Sequence, residues 1–262
     1  MKKIIYFVTI LATFVSCYSR KEKTEINNSN NTDSIKNTTM QTTDSMNNKV
    51  KRDIVFNVMS TTKVTSEFER LDMELFHQCM EESRANGMDY TYKKRLDSGI
   101  EIMLDGGSEE LIYQETHPDS YFSIFKIYDS RGYIMEKGLL ITKSFSTTKM
   151  GTWYYYDETG KLINETNYDK HYRFTFNDVL EFCKKERIPV TKGIDFPTQT
   201  VLNNENEPVK LMFVTEIDRG YTDTKSWWLI IYYNGYSTER TDIHLDGQTG
   251  KVLSRDSGLI AP

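Results

Sequence analysis

Two hydrophobic periods divide the body of this chain. Phe68, Leu71, Leu75, Cys79 and Met80 recur every three or four residues, the spacing of one helical stripe. Ser66 followed by Glu69 has the form of a capping box, and Gly87 is a natural stop, so the pattern predicts a helix from Glu67 to about Ala85. From Tyr90 the period becomes two. Tyr90–Leu96 and Ile100–Leu104 flank Asp97-Ser98-Gly99, and Leu111–Glu115, Tyr121–Tyr128, Tyr133–Thr142, Thr152–Tyr156 and Lys161–Tyr168 follow as strands between turn residues. Asp53–Met59 alternates as a short strand ahead of the first helix. Val179, Leu180, Phe182 and Cys183 give a second helix, Phe176–Arg187, capped by Thr175 or Asn177 and closed before Pro189. Val209–Ile217, Trp227–Tyr233, Thr241–Leu245 and Val252–Ser254 read as further strands. Trp227–Tyr233 is apolar on both faces and therefore central. The expected fold class is α+β: a helix, an antiparallel β-meander, then a second helix with an antiparallel sheet.

The meander contains a repeat. Phe125-Lys126-Ile127-Tyr128-Asp129-x-x-Gly132 returns 28 residues later as Trp153-Tyr154-Tyr155-Tyr156-Asp157-x-x-Gly160. Aspartate opens such a turn by accepting local N–H groups, and glycine closes it at positive φ. Asp129, Asp157 and Asp246 therefore read as turn formers, since their loops are too short and too poor in oxygen ligands to hold calcium. Gly151-x-Trp153-x-Tyr155-Tyr156-Asp157-x-x-Gly160-Lys161-Leu162 resembles the MORN-repeat-like family that includes antitoxin-like modules. That resemblance spans Tyr90 to Tyr168 and implies a surface that engages a protein. Residues Phe174 to about Gly258, through the Trp228 strand and the ending Leu245-Asp246-Gly247-x-Thr249-Gly250-Lys251-Val252-Leu253, resemble a PepSY-like domain. Members of that family accompany peptidases, which implies an inhibitor or chaperone role.

The amino terminus has a different pattern. Met1-Lys2-Lys3 precedes an apolar run from Ile4 to Val15, interrupted by Thr9 and Thr13. As a helix this run extends roughly 18 Å, short of the roughly 30 Å hydrocarbon core, so it reads as a secretory leader. Phe14-Val15-Ser16-Cys17 resembles a Bacteroidota-type lipobox, although Phe14 stands where leucine is usual. The resemblance implies cleavage before Cys17 and acylation of that cysteine, with palmitate among the chains, and two or more acyl chains hold stably to a bilayer. Ser19–Asn48, built from Asn, Ser, Thr, Lys and Asp, is too polar to form a core and is expected to be a disordered stalk. The predicted organisation is a leader (1–16), a lipidated amino terminus and stalk (17–48), a helix with MORN-like meander (49–170) and a PepSY-like α+β domain (171–262). The address is the cell envelope, on the periplasm-facing outer membrane, because the stalk lacks an acidic surface-export run.

Charge and candidate chemistry narrow the function. The net charge of −5 becomes −7 once Lys2 and Lys3 leave with the leader, and no basic face for nucleic acid is visible. His77, His117, His171 and His244 have no metal-ligand spacing, and no catalytic serine or phosphate-loop motif is present. Glu109 and Glu110 adjoin and so face opposite sides of a strand. Cys79 and Cys183 lie on helical apolar stripes and are expected as buried free thiols, although an envelope location permits a disulfide. Lys184 and Lys185 beside Cys183 read as a helix-face charge run. The reading is therefore non-enzymatic, with no metal site and no small-molecule cofactor. The remaining lead is aromatic: Trp153 and Tyr155 share one strand face, Tyr154 and Tyr156 the other, and the four are the candidate protein-binding residues. An envelope hydrolase is the competing class, and it requires converging His, Asp or Glu side chains.

Overall fold

The first helix starts later than its stripe predicts. In the computed structural model α1 spans Met73–Ala85, and its N-cap is Asp72, whose carboxylate accepts the Leu75 amide at 3.0 Å. The preceding residues are extended and run beside the sheet. The Leu71 amide donates to the Gly132 carbonyl, the Ile134 amide donates to the Glu69 carbonyl, and Arg70 bridges Tyr133. A helix from Glu67 would satisfy Glu69 locally. Instead its carboxylate is drawn to two buried lysines, and the tertiary contact overrides the local cap. Residues 54, 56, 63–88, 90–107, 110–144, 147–202, 207–233 and 239–259 are described. The leader, Cys17 and the stalk lie outside them, as does most of the predicted Asp53–Met59 strand. Ile54 and Phe56, its described members, belong to no strand and pack against the first core.

Seven strands follow in sequence order as one antiparallel meander: β1 (Thr91–Arg95), β2 (Glu101–Gly106), β3 (Glu110–Thr116), β4 (Phe122–Asp129), β5 (Ile134–Ile141), β6 (Lys149–Tyr156) and β7 (Leu162–Asn167). A 3-10 turn at Tyr168–His171 leads to α2 (Phe176–Lys185), then a separate hairpin of β8 (Thr198–Leu202) and β9 (Pro208–Met212). A second antiparallel sheet holds β10 (Val214–Tyr221), β11 (Ser226–Tyr233), β12 (Glu239–Asp246) and β13 (Val252–Leu259) in that order. β11 is interior, as its two apolar faces require. The single strand expected over Val209–Ile217 is divided at Phe213, whose amide donates to the Pro197 carbonyl. The β8 strand has no counterpart in the sequence reading. For α2 the Thr175 cap is complete, because Thr175 and Asp178 bond each other's backbone amides reciprocally.

Two cores lie within the unit Arg52–Pro262. The first packs Phe76, Cys79 and Met80 of α1 against Tyr92, Ile102, Leu104, Tyr128, Ile134 and Tyr156 of the meander. The second packs Val179 and Cys183 of α2 against Trp228, Ile230, Ile243 and Leu245, and it also takes Ile141 and Met150 from β5 and β6. The meander therefore supplies residues to the second core, and the expected boundary at residues 170 and 171 is crossed by packing. Cys79 and Cys183 are free, buried and in different cores, so no disulfide joins them. Burial pushes the Cys79 thiol up to about 11 and the Cys183 thiol up to about 12. Neither is an activated nucleophile.

Three hairpins share one turn construction. Asp129 Oδ1 accepts the amides of Arg131 and Tyr133 at 2.9 Å, and Gly132 closes the turn at φ 82°. Asp157 does the same for Thr159 and Lys161, and Asp246 for Gln248 and Thr249. These bonds spend the carboxylates inside the turns. Hydrogen bonds from Thr159 and from Thr249 hold Asp157 and Asp246 below the ordinary aspartate value of 3.8. At Asp129 burial pushes upward, but the Tyr133 amide and Arg131 outweigh it. A carboxylate depressed in the folded state contributes stability that is complete above its unfolded value and is lost as pH falls through its folded value. The urea midpoint is therefore expected to be flat at mildly acidic pH and to fall below about pH 4. A midpoint unchanged down to pH 2 would contradict this role for the turns.

Candidate functional site

β6 carries all four predicted contact residues, and the structure separates them. Tyr156 is buried in the first core and Tyr154 packs against it. Trp153, on the opposite face, is 0 % exposed. Its indole N–H donates to the Leu139 carbonyl at 3.1 Å, and its ring meets Phe125 and Tyr168. Gly138 makes room beneath it: a Cβ there would stand 2.3 Å from the indole ring atoms. Trp153 thus offers no surface to a partner, which corrects its assignment as a contact residue. The alternation of faces holds, and on the Trp153 face the indole is covered by Tyr168 and Lys149. Cys17 lies outside the described residues.

Tyr154 and Tyr155 are both partly exposed, on opposite faces, and Tyr155 is joined by residues the sequence did not bring to it. Its hydroxyl lies 2.8 Å from that of Tyr168. Lys149 sits among the rings, 4.0 Å from the Trp153 centroid, 5.3 Å from Tyr155 and 5.8 Å from Tyr168, and is paired to Glu136 at 2.9 Å. Burial pushes the Tyr168 hydroxyl up to about 12, and the bond to Tyr155 adds to that. From the second sheet comes Tyr221, 44 % exposed, with the ring of His171 stacked on it at 4.0 Å. Arg219 fastens the two parts. It pairs with Asp169 at 2.8 Å, donates to the Lys149 carbonyl at 2.6 Å, and lies over the Tyr172 ring. The result is two aromatic pairs, Tyr155 with Tyr168 and His171 with Tyr221, near enough for Tyr221 to act electrostatically on both tyrosines of the first pair. Tyrosine presents an apolar body and a polar tip at little entropic cost, the combination enriched where proteins meet.

A second polar group was not anticipated. Lys126 on β4 and Lys137 on β5 are directly opposite in register, and Lys137 is fully buried. Like charges placed so repel. Glu69 resolves the conflict by pairing with Lys126 through one oxygen and with Lys137 through the other. Burial alone would raise the Glu69 carboxyl, but the two lysines outweigh it and hold it below its ordinary value. Burial draws the Lys137 ammonium below its own, against the pull of Glu69. Beside them Glu115 accepts from the Tyr113 hydroxyl at 2.7 Å and lies 2.7 Å from His117 Nε2. A signal for Lys126 was present, since it shares parity with the inward Ile124 and Tyr128. The bulge in β5 at Lys137 to Leu139 concealed its partner.

The remaining histidines are dispersed: His77 lies on α1 against Phe76, and His244 on β12. Among the described residues no group of three or more His, Cys, Asp or Glu side chains is arranged to hold a metal ion. Compared with protein-family models, curated proteins and solved structures, the chain gives no match.

Proposed function

We propose that this chain is a non-enzymatic lipoprotein of the cell envelope, tethered through Cys17 and binding a protein partner through its aromatic face. The observation that carries the reading is the cluster of Tyr155, Tyr168, His171 and Tyr221, drawn from both halves of the chain and braced by Lys149 and Arg219. One exposed and three partly exposed aromatic rings over fixed charges supply contact area and orientation together. The seven-strand meander with its repeated aspartate turns supports a MORN-like reading of the first half. The order of α2 and a four-stranded antiparallel sheet supports a PepSY-like reading of the second. In both, the role is that of an immunity or inhibitor protein. The lipobox pattern and the polar stalk support a periplasm-facing position on the outer membrane.

The test places a photo-crosslinking residue at Tyr221 in the full-length chain in cells, with a control at Met88, exposed just beyond α1. A single protein adduct is expected from position 221 and none from 88, and Tyr155→Ala should abolish it. The same adducts from both positions would remove the aromatic face from the proposal. Labelled palmitate should enter the wild-type chain and not Cys17→Ser. Equal labelling would remove the anchor.

A further inference from the structure

The second core borders a cavity of ≈ 240 Å³ that the protein-binding reading does not use. Drug-sized ligands take roughly 300–1,000 Å³, so this one suits a smaller molecule. Phe122, Met150, Phe176 and Trp228 form an apolar wall. Asp169, Tyr172 and Arg219 form a polar one, and Thr175 and Asn177 at the start of α2 complete the lining. The lining thus holds one carboxylate and one guanidinium.

The polar wall has unused groups of both kinds. Asp169 Oδ1 accepts from the Gly151 amide at 3.0 Å and meets Arg219 Nη2 at 2.8 Å, while its Oδ2 has no partner among the described residues. Arg219 spends Nη2 on Asp169 and on the Lys149 carbonyl, and its Nε and Nη1 have no acceptor among the described residues. Tyr172 is 8 % exposed, and its buried hydroxyl has no partner among the described residues. Arg219 and Asp169 both act electrostatically on that hydroxyl, so the three polar groups lie together. A buried hydroxyl without a partner is costly, and a ligand acceptor would recover that cost. The Asp169 side chain is half-exposed, so the polar end of the cavity is the end nearest solvent.

We propose that this cavity binds a free α-amino acid with an apolar side chain. Its ammonium donates to Asp169 Oδ2, its carboxylate accepts from Arg219 and the Tyr172 hydroxyl, and its side chain lies against Phe122, Met150 and Phe176. The charges select this class. A lone anion meets Asp169 unopposed, and a lone cation meets Arg219 unopposed. An α-amino acid carries both signs on one carbon and leaves the balance intact. A polyol has donors and acceptors too, but its hydroxyls find no partners on the apolar wall. The cavity shares Asp169 and Arg219 with the brace of the aromatic face, yet it needs no protein partner, so either reading can fail without the other.

The experiment is titration calorimetry on the full chain carrying Cys17→Ser, without any partner. The probes are L-leucine, 4-methylpentanoate, which lacks the ammonium, 3-methylbutylamine, which lacks the carboxylate, and glucose. Leucine is expected to bind roughly tenfold or more tightly than either analogue, the discrimination of a hydrogen bond to a charged group. Asp169→Asn, whose amide oxygen can still accept from Gly151, should invert the order, so that 4-methylpentanoate binds more tightly than leucine. Tyr172→Phe keeps the ring beneath Arg219 and removes a hydroxyl that has no partner. It should melt no lower than the parent chain and yet bind leucine more weakly. Equal affinity for leucine and 4-methylpentanoate, tighter binding of glucose than of leucine, or no leucine binding at millimolar concentration overturns the proposal.

Discussion

Replacing Glu69 by alanine is expected to cost about 3–5 kcal/mol of stability, the loss typical when one partner of a buried ion pair is removed. The reason is the register of β4 and β5. Lys126 and Lys137 face each other directly on the core side of the sheet, and Glu69 reaches both. Without it, two ammonium groups oppose each other with little access to water. Lys137→Met should cost less, because Lys126 then keeps Glu69 to itself. The double variant Glu69→Ala with Lys137→Met should recover part of the loss, since only one buried ammonium remains to be solvated. Urea unfolding of the four proteins closes the cycle. A Glu69→Ala loss below about 1 kcal/mol, the level of a surface pair, would mean that solvent screens the cluster.

Trp153→Ala is expected to destabilise by about 3–5 kcal/mol, the range for truncating a large buried aromatic. In a body of this size that lowers the melting temperature by roughly 10 °C. The side chain is 0 % exposed, its N–H is spent on Leu139, and Gly138 is shaped to its ring. Tyr155→Ala, by contrast, removes a half-exposed ring and should shift the melting temperature by much less. The two variants thus separate packing from recognition within three residues of one strand. A Trp153→Ala protein that melts like wild type would return the indole to the list of contact residues.

The contrast between Trp153 and Tyr155 shows how far sequence periodicity reaches. Alternation assigned both residues to one face of β6, and the structure keeps them there. It could not assign what covers that face, because the cover comes from the 3-10 turn at Tyr168 and from Lys149 at the far end of the same strand. Glu69 gives the opposite lesson. The local pattern of Ser66 through Glu69 is a good helix start, yet an electrostatic demand from residues 57 and 68 positions away in the chain keeps that segment extended. The split of Val209–Ile217 into two strands has a similar cause: the apolar run is continuous, but its two halves pair with different partners. Tyr221 and His171 gave no signal, because their stacking joins segments that no local pattern relates.

By itself the sequence determined the α+β class, the consecutive hairpins of the meander, the three aspartate turns, the interior position of β11 and the burial of both thiols. Each follows from short-range physics: side-chain period, turn chemistry and the apolarity of neighbouring positions. Tertiary structure alone decided where α1 begins, which aromatic rings reach the surface, that both halves feed one core, and that two facing lysines share a carboxylate. Those depend on contacts between residues far apart in the chain, whose energies are large enough to override any local preference.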